Sequence, residues 1–257
     1  MEAEPALVTP VLAAPVLVAL PGTMCSPEVF EPLATELTGS VPVHPVSWLT
    51  EPGPWDIRAV AGRLAARIEA RWGHPVMVCG HSTGGAIALQ LAVSHPEMVA
   101  ALVLVDTGAH MKGHGDVGAI LDRIRTGWGD ELCAAVLDRS FERPLDPGAR
   151  NRLVRWAVAC DPQAVHDVLA SQRDLDLTGD LAGITAPAIV VHGRHDRARA
   201  PEQGRELAAG LPDAEFRLAE AGHTPVYETP GLVAAAVRDL LVRLRGAARR
   251  PPDRPLA

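Results

Sequence analysis

Cysteine is scarce in this sequence and scattered along it. The 257 residues include four cysteines, at positions 25, 79, 133 and 160. No two of them form a C-x-x-C pair, so their spacing predicts neither a structural zinc site nor a dithiol redox centre. Cys79 falls in an apolar run and is interpreted, like Cys25, as a packing residue. The sequence therefore suggests no chemistry that depends on thiols.

Long apolar runs and excess positive charge are also absent. Pro10, Pro15 and Pro21 interrupt the first apolar run, and no run reaches the roughly 20 residues of a membrane-spanning helix. The net charge is −7, from 24 Lys and Arg residues and 31 Asp and Glu residues, which argues against nucleic acid as a partner. The acidic start, residues 1–5, lacks the basic residues of a signal peptide. We expect a cytoplasmic protein without a membrane span; its oligomeric state is not predicted.

Short apolar runs alternate with segments of helical periodicity along most of the chain. The hydrophobic fraction of 47% is enough to bury a large core. The alternation predicts an α/β fold with a mostly parallel sheet that helices cover on both faces. The predicted strands are residues 15–20, 41–48, 75–79, 100–105, 186–191 and 213–218, with one further strand at residues 6–12. The predicted helices between them are residues 28–37, 56–72, 83–95, 201–210 and 231–245.

The alternation stops between Asp106 and Leu181, where helical patterns follow one another without a strand. Four helices are predicted there, over residues 115–127, 130–139, 147–160 and 162–175. After the last helix, residues 246–257 are rich in Arg and Pro, and we expect them to be a flexible tail.

The most informative motif is Gly80-His81-Ser82-Thr83-Gly84, a G-x-S-x-G. An apolar run precedes it and a small-residue helical pattern follows it, which is the strand–turn–helix setting of a nucleophile elbow. A serine on such a turn exposes its hydroxyl, and the glycines leave room where a Cβ would clash. The pattern predicts Ser82 as a nucleophile, with the Thr83 N–H as one donor of an oxyanion hole.

An elbow serine requires an acid and then a histidine further along the chain. Asp196 and His223 each follow a predicted strand, in that order. His223 would take the serine proton, and Asp196 would orient the imidazole. Asp106 is a rival acid, because it also follows a strand, at residues 100–105. The histidine pairs 110/114 and 192/195 have metal-ligand spacing, but glycines and a strand end disrupt them, and we interpret them as structural.

These pieces together make the chain resemble the α/β-hydrolase superfamily over nearly its whole length. The matching segments are Leu20-Pro21-Gly22-Thr23, the Gly80–Gly84 elbow, Gly193-Arg194-His195-Asp196, and Gly222-His223 with Glu228 and Pro230. The resemblance implies a hydrolase core of residues 1–108 and 181–245, a helical cap of residues 109–180 and the tail of residues 246–257. It also implies that Thr23, or failing that Met24, supplies the second oxyanion N–H. Pro21 departs from the family's usual histidine at that position.

The resemblance implies hydrolysis of a carboxylic ester, thioester or lactone through an acyl-enzyme on Ser82. We expect a small-molecule ester-type substrate, no cofactor and no metal. A serine at the elbow disfavours the dehalogenase and epoxide hydrolase reactions that use an aspartate there. Two alternatives stay open at this point. One is a specialised biosynthetic reaction on the same scaffold, such as thioester release, carbon–carbon hydrolysis, elimination or cyclisation; the other is a non-catalytic ligand receptor.

Overall fold

The computed structural model describes residues 15–248, and its centre is one parallel sheet. Within that range the sheet has six strands in the order β2-β1-β3-β4-β5-β6, each parallel to its neighbour. The strands are β1 (Leu17–Leu20), β2 (Val43–Pro45), β3 (Val76–His81), β4 (Val99–Val105), β5 (Ala188–Gly193) and β6 (Ala214–Ala219). Every residue of β1, β3 and β5 is buried, as expected for strands covered on both faces.

Helices cover the sheet and fill the connection between β4 and β5. They are α1 (Glu31–Glu36), α2 (Ile57–Trp72), α3 (Thr83–Ser94), α4 (Val117–Gly127), α5 (Asp130–Ser140), α6 (Pro147–Val158), α7 (Pro162–Asp174), α8 (Pro201–Gly210), α9 (Pro225–Glu228) and α10 (Pro230–Ala248). The predicted strands and helices of residues 15–245 are all present, with ends shifted by a few residues. None of the described helices is long and apolar enough to cross a membrane.

Three predicted boundaries are wrong for reasons that proline and helix propagation explain. The second strand is much shorter than residues 41–48, because Pro45 has no N–H to continue the ladder of this edge strand. The helix predicted at residues 28–37 is split into a 3₁₀ turn, Pro27–Phe30, and α1, which has a proline in its first turn. The last helix, predicted to end at residue 245, continues through residue 248 as α10. Residues 249–257 and the strand predicted at 6–12 lie outside the described residues.

Three of the four helices between β4 and β5 begin where an aspartate caps the first turn. Asp116, Asp146 and Asp161 precede α4, α6 and α7, and each side chain accepts a hydrogen bond from a backbone N–H in the first turn. Proline stands in the first turn of α6 and α7, where its missing N–H costs nothing. Helix α7 packs on α4 within this group and on α2 and α3 of the core. Helix α7 thus connects the helical segment to helices of the core.

The candidate residues lie at one edge of the sheet because each follows a strand and all the strands are parallel. The order of the strands also reverses at β1. From β1 the chain continues to β2 on one side, and β3 lies on the other side. In open α/β sheets, ligands bind beside the carboxyl ends of the strands at such a switch point. Thr23, Ser82, Asp106, Asp196 and His223 follow β1, β3, β4, β5 and β6 respectively. All five therefore come to the same edge.

Candidate active site

The turn between β3 and α3 holds Ser82 in a strained conformation. Its φ of 53° and ψ of −119° lie where a non-glycine residue is rare. The turn is tight enough that a Cβ on Gly80 would lie 2.5 Å from the Gly84 carbonyl oxygen, and a Cβ on Gly84 would overlap the Leu20 carbonyl. The G-x-S-x-G glycines are thus required by close backbone packing, and the serine side chain is left partly exposed at the strand end.

The structure brings the three predicted catalytic side chains together. His223 Nε2 lies 2.9 Å from Ser82 Oγ, and His223 Nδ1 lies 2.7 Å from Asp196 Oδ2. Both separations are hydrogen-bond distances. The imidazole thus bridges the hydroxyl and the carboxylate, although these residues are separated by 141 and 27 positions in sequence.

Asp196 is a buried carboxylate that its surroundings keep ionised. Burial alone would raise its pKa. The charge of a protonated His223 and the hydrogen bonds from His192, His223 and the Arg199 N–H more than offset burial, so the pKa lies well below its usual range. Its second oxygen, Oδ1, accepts hydrogen bonds from the backbone N–H groups of Ala198 and Arg199, at 2.7 and 3.0 Å. The carboxylate is therefore both charged and fixed in orientation.

Asp106, the rival acid, lies beside Asp196 but contacts different groups. Its Oδ1 accepts a hydrogen bond from the Gly193 N–H at 2.8 Å and lies 3.3 Å from His192 Nε2. Complete burial raises its pKa well above the usual range, and the negative charge of Asp196 raises it further. Two buried carboxyl groups this close cannot both be ionised cheaply. The surroundings of Asp106 therefore disfavour its ionised form, whereas those of Asp196, which contacts His223, favour it.

His192, set aside by the sequence analysis, lies between these two carboxyl groups. Its Nε2 is 3.1 Å from the Arg199 carbonyl and 3.4 Å from Asp196 Oδ2. Asp106, His192 and Asp196 form the one group of three metal-ligand side chains in residues 15–248 whose ligand atoms lie within 4.8 Å of one another. The His192 and Asp196 atoms of that group already form hydrogen bonds to protein groups. A bound metal would have to replace those bonds.

His81 is hydrogen-bonded to the main chain of His223. Its Nε2 donates to the His223 carbonyl at 2.6 Å, and the two rings lie 5.2 Å apart between centroids. Burial, reinforced by the positive charge of a protonated His223, lowers the pKa of His81 to about 3. The His81 ring is neutral at physiological pH and acts as a fixed hydrogen-bond donor.

The loop after β1 lies directly against the nucleophile. A Cβ on Gly22 would be 3.0 Å from the Ser82 Cβ. The loop turns through Met24, whose φ is 61°, and the Cys25 N–H closes the turn on the Gly22 carbonyl at 3.1 Å. The backbone N–H groups of Thr23 and Thr83, the predicted oxyanion donors, have no acceptor within residues 15–248. No acceptor in that range therefore competes for either N–H group.

Trp48 braces this loop where the family's histidine is replaced by Pro21. The Trp48 indole N–H donates to the Pro21 carbonyl at 2.9 Å, and the side chain is almost fully buried. This role could not be predicted from the sequence, because the contact is to a main-chain oxygen 27 residues away and leaves no motif. The replacement of histidine thus does not leave the loop unsupported.

The helical segment between β4 and β5 contacts the histidine loop. The His223 N–H donates to the Ser140 carbonyl at 2.9 Å. The Glu228 carboxylate accepts from the N–H groups of Gly222 and Glu142, at 2.9 and 2.7 Å. Ser140 at the end of α5 is therefore hydrogen-bonded to His223, and Glu142 just after α5 is hydrogen-bonded to Glu228.

Comparison with known proteins agrees with this architecture. A profile of the alpha/beta hydrolase family matches residues 17–236. The chain belongs to the alpha/beta hydrolase family. The predicted fold and the predicted hydrolase activity on ester-type bonds are confirmed at this level.

Three of its relatives show how far the similarity reaches. The chain is 27% identical to the pimeloyl-[acyl-carrier protein] methyl ester esterase of Neisseria meningitidis strain MC58, over 77% of this chain and 82% of that protein. It is 31% identical to the polyketide synthase ThaQ of Burkholderia thailandensis, over 84% of this chain but 11% of that protein. Among solved structures, the enol-lactonase of Burkholderia xenovorans superposes with a TM-score of 0.79 at 24% identity, over 89% of this chain and 92% of that one.

The lowered pKa of His81 predicts a loss of stability in acid. The unfolded chain binds a proton near pH 6.5 and the folded chain only near pH 3, so the stability falls as the pH drops through that window. Between pH 6.5 and 5, wild type should lose about 2 kcal/mol more than His81→Gln. Urea unfolding of both proteins at the two pH values measures this difference. Equal losses would show that His81 is protonated in the folded protein.

Proposed function

We propose that this hydrolase cleaves a carboxylic ester through an acyl-enzyme on Ser82. The observation that carries the proposal is the unbroken hydrogen-bonded series from Ser82 Oγ through His223 to Asp196, at 2.9 and 2.7 Å. A serine hydroxyl is a weak nucleophile unless a base within hydrogen-bond reach accepts its proton. This geometry meets that requirement near two backbone N–H groups, those of Thr23 and Thr83, that have no acceptor among the described residues.

In the first half-reaction Ser82 Oγ attacks the ester carbonyl carbon while His223 Nε2 takes the hydroxyl proton. The carbonyl oxygen becomes an oxyanion, which accepts hydrogen bonds from the N–H groups of Thr23 and Thr83. Asp196 stabilises the imidazolium through Nδ1–H. The imidazolium then gives its proton to the departing alcohol oxygen as the carbon–oxygen bond breaks, and the acyl group remains on Ser82.

In the second half-reaction water repeats the same sequence of steps. His223 Nε2 takes a proton from water, whose oxygen attacks the acyl carbon. The second tetrahedral intermediate collapses, and the proton returns to Ser82 Oγ as the carboxylic acid leaves. The hydrogen bonds from Ser82 through His223 to Asp196 support the assignment of these steps.

Residues 109–180 act in this proposal as a cap that bounds the substrate site. This role is supported by two hydrogen bonds: the Ser140 carbonyl accepts from the His223 N–H, and the Glu142 N–H donates to the Glu228 carboxylate. The packing of α7 on α3 supports it as well. A cap attached at these points restricts the acyl group to a small or medium size.

Cleavage of a thioester is a second candidate, which the similarity to a segment of the polyketide synthase ThaQ favours. The acyl-enzyme chemistry is the same, and only the leaving atom changes from oxygen to sulphur. A methyl ester and a thioester of the same acyl group, compared by kcat/KM, separate the two. A ligand receptor would instead bind these compounds without releasing alcohol or thiol.

Replacing the nucleophile should abolish turnover. We expect Ser82→Ala to lower kcat by about 10⁴ to 10⁶-fold, because no other group can form the acyl-enzyme. The rate of p-nitrophenyl ester hydrolysis measures the loss, and circular dichroism checks the fold. Ser94→Ala, which removes a hydroxyl at the other end of α3, should keep full activity. Substantial activity in Ser82→Ala would exclude serine catalysis.

The two buried acids should respond very differently to amidation. Asp196→Asn should lower kcat by roughly 10⁴-fold, because an amide favours the wrong tautomer of His223. Asp106→Asn should lose far less, because Asn resembles the neutral carboxylic acid and its oxygen still accepts from the Gly193 N–H. Steady-state kinetics of both variants gives the ranking, and the reverse ranking would assign the acid to the loop after β4.

A further inference from the structure

Three side chains form a hydrogen-bonded chain beside the nucleophile. The Thr23 hydroxyl donates to Thr83 Oγ1 at 2.7 Å, and the Thr83 hydroxyl donates to Gln172 Oε1 at 2.7 Å. Thr83 is 2% exposed and Gln172 5% exposed. Buried polar groups of this kind strengthen one another in a low-dielectric setting and are costly to leave unpaired.

The chain connects the two residues whose backbone N–H groups are the proposed oxyanion donors. Thr23 lies in the loop after β1, and Thr83 is the first residue of α3. The side-chain hydrogen bond between them joins the loop after β1 to the start of α3 across 60 residues of sequence. Because a side chain moves with its own peptide group, this bond restricts the separation of the two N–H donors.

Gln172 brings the helical segment into the same chain. It lies near the end of α7, two residues before the helix finishes at Asp174. The neighbouring Ser171 hydroxyl accepts from the Ile57 N–H at 3.0 Å and holds α7 against the start of α2. A hydroxyl has a single hydrogen. With that of Thr83 committed to Gln172, the lone pairs of Thr83 face the Thr23 hydroxyl.

We propose that Gln172 is a positioning residue that acts through Thr83 and Thr23 to fix both oxyanion donors. The helical segment then contributes to binding of the transition state as well as to enclosing the substrate. This inference rests on the proposed function, because it assigns a task to the N–H groups of the Ser82 site.

The expected effect is on kcat, not on substrate binding. Deleting one oxyanion donor costs about 10² to 10³-fold in kcat. Here the donors are displaced and not deleted, so Gln172→Met and Thr83→Val should each lower kcat by roughly ten- to a hundredfold. KM should change little, since the developing oxyanion exists only in the transition state.

The test combines kinetics on p-nitrophenyl acetate with binding of phenylboronic acid, which forms a tetrahedral adduct on an active serine. In Gln172→Met and Thr83→Val the boronic acid affinity should fall in parallel with kcat. Thr83→Ser should recover most of the activity lost in Thr83→Val. Thr23→Val, at a partly exposed position, removes the first bond of the chain while the Thr83 hydroxyl still donates to Gln172. Gln90→Met is the matched control, because Gln90 is 5% exposed on α3 and its amide contacts Ser94.

The double variant Thr23→Val with Gln172→Met provides a second, independent measurement. If the two residues act through Thr83, its loss in kcat should be smaller than the product of the single losses. Folded variants with wild-type kcat and boronic acid affinity would overturn the inference, as would a change in KM alone or a loss in Gln90→Met equal to that in Gln172→Met. Failure of the proposed function has a different signature, since wild type itself would then not bind the boronic acid.

Discussion

The close approach of α3 to the end of β1 is the constraint on which the site depends. The Gly84 backbone packs against the Leu20 carbonyl, and Gly80 packs against the first turn of the same helix. Side chains at these positions would separate the helix from the sheet. With the glycines in place the chain turns sharply at Ser82 and leaves its side chain partly exposed at the sheet edge, next to the loop after β1.

The second feature that determines the site is the opposite effect of the surroundings on the pKa values of two buried acids. Asp106 and Asp196 follow adjacent strands and both contact His192. The negative charge of Asp196 is stabilised by His192 and by the backbone N–H groups of Ala198 and Arg199. Asp106 is completely buried, and among the described residues one backbone N–H group donates to it. The environments therefore move the two pKa values apart, which allows one carboxylate to polarise His223 without repulsion from its neighbour.

The sequence predicted the parts of the site that follow strands and missed the parts that brace them. Ser82, Asp196 and His223 each follow a predicted strand of a parallel sheet, so topology alone carries them to one edge. Trp48 and Gln172 leave no local signal, because their partners are a main-chain oxygen and a hydroxyl 27 and 89 residues away. The end of β2 differs from the prediction for a local reason. Pro45 ends this strand, although the apolar residues around it favour a longer one.

The central claim is that Ser82 carries the acyl group during turnover, and pre-steady-state kinetics tests it most directly. The protein is mixed rapidly with a p-nitrophenyl ester, quenched, and analysed both for released p-nitrophenol and for the mass of the peptide that contains Ser82. The account predicts an initial burst that approaches one p-nitrophenol per active site, with the acyl mass on Ser82. Turnover that proceeds without any acyl mass on that peptide, or with the acyl group on another residue, would contradict it.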